Sequence, residues 1–87
     1  MFEWDDENLE HIVQHAVSPD EAEEVFADTH RFSAAAHNTP TERRWGIVGL
    51  TDDGRLLFVV YTRRHAAIRV VTARDASPPM RRRYRRR

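Results

Sequence analysis

Three arginines, Arg64, Arg69 and Arg74, punctuate the most apolar stretch of the chain, LLFVVYTRRHAAIRVVTAR over residues 56–74. A guanidinium is planar and permanently charged, so a group of them can neutralise a phosphodiester and the further charge that builds on it in a transition state. On RNA the neighbouring 2′-hydroxyl is itself a nucleophile. A protein then has only to orient the strand, stabilise the charge and move two protons. His15 and Tyr84 are the candidates for moving protons, because arginine stays protonated at any ordinary pH. The same arginines also have a structural reading: guanidiniums at a sheet edge commonly pair with acids of their own domain, and the chain has fourteen acids.

Other chemistries find no pattern. The chain has no phosphate-binding glycine loop, no Ser/His/Asp order and no carboxylate cluster at metal spacing. His11 and His15 stand four apart, but Ile12 occupies the place of the Glu in an HExxH motif, so surface histidines are expected there rather than a metal site. Neither a metal nor a cofactor is expected.

The elements that must position these residues are short. Leu56 to Thr62 reads as a central strand covered on both faces, and Ile68 to Ala73 as the next strand. A period of two sends Ile68, Val70 and Thr72 to one side and Arg69, Val71 and Ala73 to the other. With Arg64 in the turn and Arg74 at the strand's end, the three guanidiniums are expected at one edge of the sheet. Arg43 to Leu50 pairs with the central strand through the Asp-Gly turn at residues 51–54, and Gly46 and Gly49 thin it for a bend or a close neighbour.

Upstream, Phe2-Glu3-Trp4 is expected to form a short first strand at an edge, followed by Asp5 as a helix cap. Leu9, Ile12, Val13 and Ala16 then make the buried stripe of a first helix. Ser18-Pro19-Asp20-Glu21 opens a second helix with a capping box, and Ala22, Val25 and Phe26 are its inner face. Residues 28–41 lose periodicity and read as a loop, with a short edge strand near His30 to Phe32. Ser77-Pro78 starts a third helix, MRRRYRRR, whose last arginines are expected to fray when no anion lies near. The architecture is therefore α+β: two N-terminal helices packed on an antiparallel sheet of about four strands, with a C-terminal helix.

Eighty-seven residues suit one domain, 1–87, with a modest core. There is no cysteine, hence no disulfide framework. No apolar run approaches the roughly 20 residues of a membrane span and no signal pattern opens the chain, so the expected location is cytoplasmic. The formal charge of zero conceals a dipole. Residues 1–42 hold eleven acids and one arginine, a net −10, whereas residues 43–87 hold thirteen arginines and three acids, a net +10.

The order of residues resembles the BrnT toxin family. The resemblance is carried by Phe2-Glu3-Trp4-Asp5, Gln14-His15-Ala16-Val17-Ser18, Glu21-Ala22, Val25-Phe26, Asp28, Glu42-Arg43, Gly54-Arg55, Val59-Val60-Tyr61-Thr62, Arg64, Ile68-Arg69, Ala73-Arg74, and Arg81 with Tyr84. It implies a RelE-like ribonuclease, the toxin half of a type II toxin–antitoxin pair that inhibits growth by metal-independent RNA cleavage. The implied partners are RNA and a BrnA-like antitoxin with a ribbon-helix-helix domain, with operator DNA engaged only through the toxin–antitoxin complex and no membrane. Carried over position by position, the family's site falls on His15, Arg64, Arg69, Arg74, Arg81 and Tyr84. Arg55, Arg63, Arg82, Arg83 and Arg85 are the expected contacts to the RNA backbone. Three departures stand out. Gln14-His15-Ala16 replaces the usual Lys-His-Gly, Met80-Arg81 the usual Glu-Arg, and His65-Ala66-Ala67 lacks the usual glycine. If the missing Lys and Glu serve proton transfer, cleavage is weakened. The alternative is a weak or inactive binding module that engages antitoxin, RNA or operator DNA.

Overall fold

The computed structural model describes residues 1–86; Arg87, the end of the arginine run expected to fray, lies outside the described residues. Three helices, α1 (Asp6–Val13), α2 (Pro19–Ala27) and α3 (Pro78–Arg85), accompany four strands, β1 (Phe32–Ala34), β2 (Trp45–Leu50), β3 (Leu56–Arg64) and β4 (Ala67–Asp75). The sheet is antiparallel throughout, in the order β1-β2-β3-β4. The α+β architecture and the central place of Leu56 to Thr62 follow the sequence.

Each helix starts where its cap directs. The Asp5 carboxylate accepts the N–H of Glu7 and Asn8, while the Asn8 side chain accepts the Asp5 N–H at 2.8 Å. Ser18 and Glu21 close the second capping box reciprocally, at 3.2 and 3.0 Å. Ser77 caps α3, with proline in its first turn. Such caps each contribute about 1 kcal/mol, which matters for helices of only eight or nine residues.

Two apolar clusters lie on opposite faces of the sheet. Ile12, Val17, Ala22 and Val25 pack on Ile47, Leu57, Val59, Val70 and Ala73 to seat α1 and α2. On the other face, Met80 and Tyr84 of α3 pack against Phe32, Val48, Leu56, Phe58 and Ala76.

Four expectations change. The buried stripe of α1 is Asn8 and Ile12, while Val13 is 67 % exposed and Ala16 lies past the helix end with φ 56°. Asn8 can be buried because its amide donates to the carbonyls of Glu3 and Val70, both at 3.0 Å. Next, Phe2-Glu3-Trp4 forms one parallel bridge, Phe2 to Ile68, rather than a strand. The fourth strand is β1, shifted from His30–Phe32 to Phe32–Ala34, and it lies so close to β2 that a Cβ on Gly46 would stand 2.6 Å from the Ala34 carbonyl oxygen.

Third, the alternation in β4 breaks. Val60 pairs with Thr72 and Tyr61 with Val70, so Val71 is an extra, bulged residue. Val70 and Ala73 consequently share the face under α1 and α2, against the expected alternation. Fourth, the three arginines do not gather at one place, for the reasons below.

Candidate functional site

Arg69 is the most enclosed of the expected site residues. Its side chain is 7 % exposed and meets three carboxylates: Asp5 at 2.8 and 3.1 Å, Glu7 at 3.1 Å and Glu3 at 3.3 Å. The hydrogen bonds it donates to Asp5, the largest influence, and the surrounding negative charge outweigh burial and hold the guanidinium charged even more firmly than usual. Arg69 reciprocally holds the Asp5 carboxyl below its ordinary range, assisted by the Asn8 and Glu7 N–H groups of the helix cap. Arg64 shares the Glu3 carboxylate at 2.9 Å. Together these two arginines anchor the N-terminal segment to the end of β3 and to β4.

Arg74 stands apart. It occupies the far end of β4, exposed, with its guanidinium 5.3 Å from the centroid of the Phe58 ring. Among the described residues it has no carboxylate partner. It opens onto a groove of about 480 Å³ whose floor is Phe58, Val60 and Thr72. His15 from the α1–α2 connection, His37 and Arg44 from the long loop, and Met80 from α3 line the same groove. Two imidazoles and two guanidiniums around an apolar floor suit an anionic polymer whose bases need a hydrophobic seat.

His15 is placed by backbone geometry and by Arg55. The left-handed residue Ala16 turns the chain sharply out of α1, and Arg55 reaches under the turn to donate to the carbonyls of His15 at 3.0 Å and Ala16 at 2.7 Å. Arg55 is itself held by Asp75 at 2.9 Å and Glu21 at 3.4 Å. The Asp75 hydrogen bond leads the influences that raise its pKa over the opposing effect of burial. Its donors are thus aimed at protein.

A second hollow of about 240 Å³ adjoins the groove, sharing Arg44 and Val71 with it, and is lined by Arg64, Arg69, Glu42 and His11. The His11 ring lies 3.1 Å from the Val71 carbonyl at the bulge. Arg44 is paired with Glu42 at 2.9 Å. Tyr84 and Arg81 lie elsewhere, around a third hollow with Leu50 and Leu56. The Tyr84 hydroxyl donates to Asp28 at 2.6 Å and Arg81 Nε to the Ala76 carbonyl at 3.1 Å. Of the expected backbone contacts, Arg63 lies 5.9 Å from the Trp45 ring and Arg83 4.2 Å from the Phe32 ring, while Arg82 and Arg85 are exposed on α3.

The structure therefore brings His15 and Arg74 together, puts Arg64 and Arg69 in the adjoining hollow, and separates Arg81 and Tyr84 from both. Sequence reasoning missed His37 and Arg44, which sit in or just after an aperiodic loop; the only signal was the Arg43-Arg44 charge pair at its end.

No helix of the described residues is long and apolar enough to cross a membrane. A family model described as the ribonuclease toxin BrnT of type II toxin–antitoxin systems matches residues 4–79. No curated protein matches the chain.

Proposed function

The chain belongs to the BrnT family of type II toxin–antitoxin ribonuclease toxins, and we propose that it cleaves RNA without a metal, in the groove between His15 and Arg74. The observation that carries this reading is Arg74: an arginine without a carboxylate partner among the described residues, steadied over Phe58, in a groove that two histidines also line. A committed guanidinium such as Arg69 would have to leave three carboxylates before taking a phosphate, whereas Arg74 leaves none.

In the proposed reaction the substrate's 2′-oxygen forms a bond to phosphorus as the bond to the 5′-oxygen breaks. The products are a 2′,3′-cyclic phosphate and a 5′-hydroxyl. One histidine of the groove takes the 2′-hydroxyl proton, and the other gives a proton to the leaving oxygen. His15 is the better oriented of the two, since Arg55 fixes the backbone that carries it. Arg74 and Arg44 neutralise the non-bridging oxygens. Arg64 and Arg69 hold the N-terminal segment and the neighbouring wall, and Tyr84 acts through the docking of α3.

The rest of the assignment follows from the family. An antitoxin neutralises the protein, and we assign it a BrnA-like ribbon-helix-helix chain through which operator DNA is reached, with the pair residing in the cytoplasm. A binding module without turnover is favoured by one observation: Met80, where the family usually has Glu, lines the groove and supplies no proton. The test is cleavage of labelled RNA by the purified protein in EDTA, beside Arg74→Ala. Cleavage by the wild type that is lost in the variant supports the ribonuclease reading. A folded wild type that binds RNA without cleaving it supports the binding module.

A further inference from the structure

Arg44, Arg55, Arg64 and Arg69 are tied to carboxylates, but among the described residues Arg43 and Arg63, like Arg74, are not. Both are exposed and neither has an acid partner among the described residues. Their guanidiniums instead converge on one ring, that of Trp45, at 5.4 and 5.9 Å from its centroid. Two like charges held near a single indole repel each other, and an anion between them would relieve that repulsion.

The ring is also rigidly backed. Trp45 stacks on Tyr61 at 5.9 Å with an interplanar angle of 23°, Tyr61 packs edge-on against Phe26, and Phe26 against Phe2, each at 5.0 Å. A hollow of about 210 Å³ lies beside the ring. It shares Glu42 and Arg64 with the hollow next to the groove, which in turn shares Arg44 and Val71 with the groove that Arg74 lines. A row of hollows, each lined by arginine, thus leads from the groove to Trp45.

We infer that Trp45, Arg43 and Arg63 form a second RNA subsite, in which a nucleobase takes the indole and the two guanidiniums move onto its flanking phosphates. The inference rests on the ribonuclease reading for the direction of the strand, and it adds a site outside the groove that holds the scissile bond. Stacking on an aromatic ring is sequence-tolerant, so the subsite contributes affinity and substrate length rather than base choice.

The test uses the full chain, an uncleavable 2′-O-methyl octaribonucleotide and the corresponding dinucleotide, with binding followed by fluorescence anisotropy. Trp45→Ala is expected to weaken the octanucleotide by roughly 5- to 150-fold, the range of one lost base stack, and Trp45→Phe to recover most of that. The penalty should be larger for the octanucleotide than for the dinucleotide, which cannot reach both sites. Because Trp45→Ala removes packing from Tyr61, the exposed pair Arg43→Ala with Arg63→Ala serves as the second variant. Its binding should show a salt slope, log Kd against log salt, shallower by about 1.4, or about 0.7 for each lost phosphate contact. Unchanged octanucleotide affinity and slope in folded variants overturn the subsite, even where Arg74-dependent cleavage persists. Equal losses for both oligonucleotides overturn it too, since they place Trp45 in the groove's own support. A wild type that binds neither overturns the subsite and the ribonuclease reading together.

Discussion

Arg69 and Arg74 are five positions apart on one strand and have opposite surroundings, and the contrast decides what each can do. Arg69 is enclosed with three carboxylates, so its removal leaves Asp5 and Glu7 without their guanidinium and Glu3 with Arg64. Arg69→Met should lower stability by about 2–3 kcal/mol, less than a fully buried pair because the carboxylates are partly solvated. Urea denaturation measures it. Among the described residues Arg74→Ala loses only a ring contact, so its stability should stay within about 0.5 kcal/mol of wild type while RNA cleavage falls at least 100-fold, on the order of one transition-state charge contact. An unfolded Arg74→Ala protein would make the residue structural and move the site. Met80→Glu returns a carboxylic acid to the groove, and a raised rate of cleavage would show that this departure limits the wild-type enzyme. None of this distinction was legible in the sequence, because the partners of Arg69 lie more than sixty residues upstream and spacing along β4 says nothing about them. What could be read was the inventory: arginines, a histidine and a tyrosine, and a surplus of acids to claim some of them.

At the scale of elements, the caps and turns were legible and the registers were not. Asp5, Ser18 and Ser77 announce helix starts through local hydrogen bonds, which depend on residues within one turn. The inner face of α1 depends instead on Asn8 finding the Val70 carbonyl across the fold, and the bulge at Val71 on a pairing slip that no periodicity records. Two departures from the family pattern acquire a physical meaning here. Ala16, His65 and Ala66 have φ of 56°, 52° and 64°, in the left-handed region that favours glycine. His65 and Ala66 make the two-residue turn between β3 and β4, where a type I′ hairpin prefers Asn-Gly. Ala16→Gly and Ala66→Gly should each stabilise the protein by about 0.5–1 kcal/mol, the relief of strain exceeding the added chain entropy. Thermal melting of the two single variants and the double checks both size and additivity. Gly46→Ala should do the reverse, costing about 1–3 kcal/mol by forcing β1 away from β2.

On the scale of the whole molecule, one carboxylate joins the layers. Asp28 ends α2, accepts the Leu50 N–H at the end of β2 at 2.8 Å, and receives the Tyr84 hydroxyl of α3 at 2.6 Å on the same oxygen. Its other oxygen accepts the His30 N–H at 2.9 Å. Burial raises the Asp28 pKa, but the hydrogen bonds from Leu50, Tyr84 and His30 outweigh it and hold the group below the ordinary carboxylate value of 3.8. A carboxyl whose folded pKa is depressed contributes stability that is complete above its unfolded pKa and is lost as pH falls through the folded one. The attachment of α3 should therefore weaken in acid, below about pH 4, and be insensitive to pH near neutrality. Tyr84→Phe removes one hydrogen bond to a charged acceptor, so it should cost about 2 kcal/mol at pH 7 and less at pH 3, since protonation of Asp28 takes away the charged acceptor. Equal penalties at both pH values would mean that Tyr84 does not hold α3 through the Asp28 carboxylate. Chemical denaturation at the two pH values separates these outcomes, and RNA cleavage measured alongside shows whether the groove wall that Met80 provides depends on that latch.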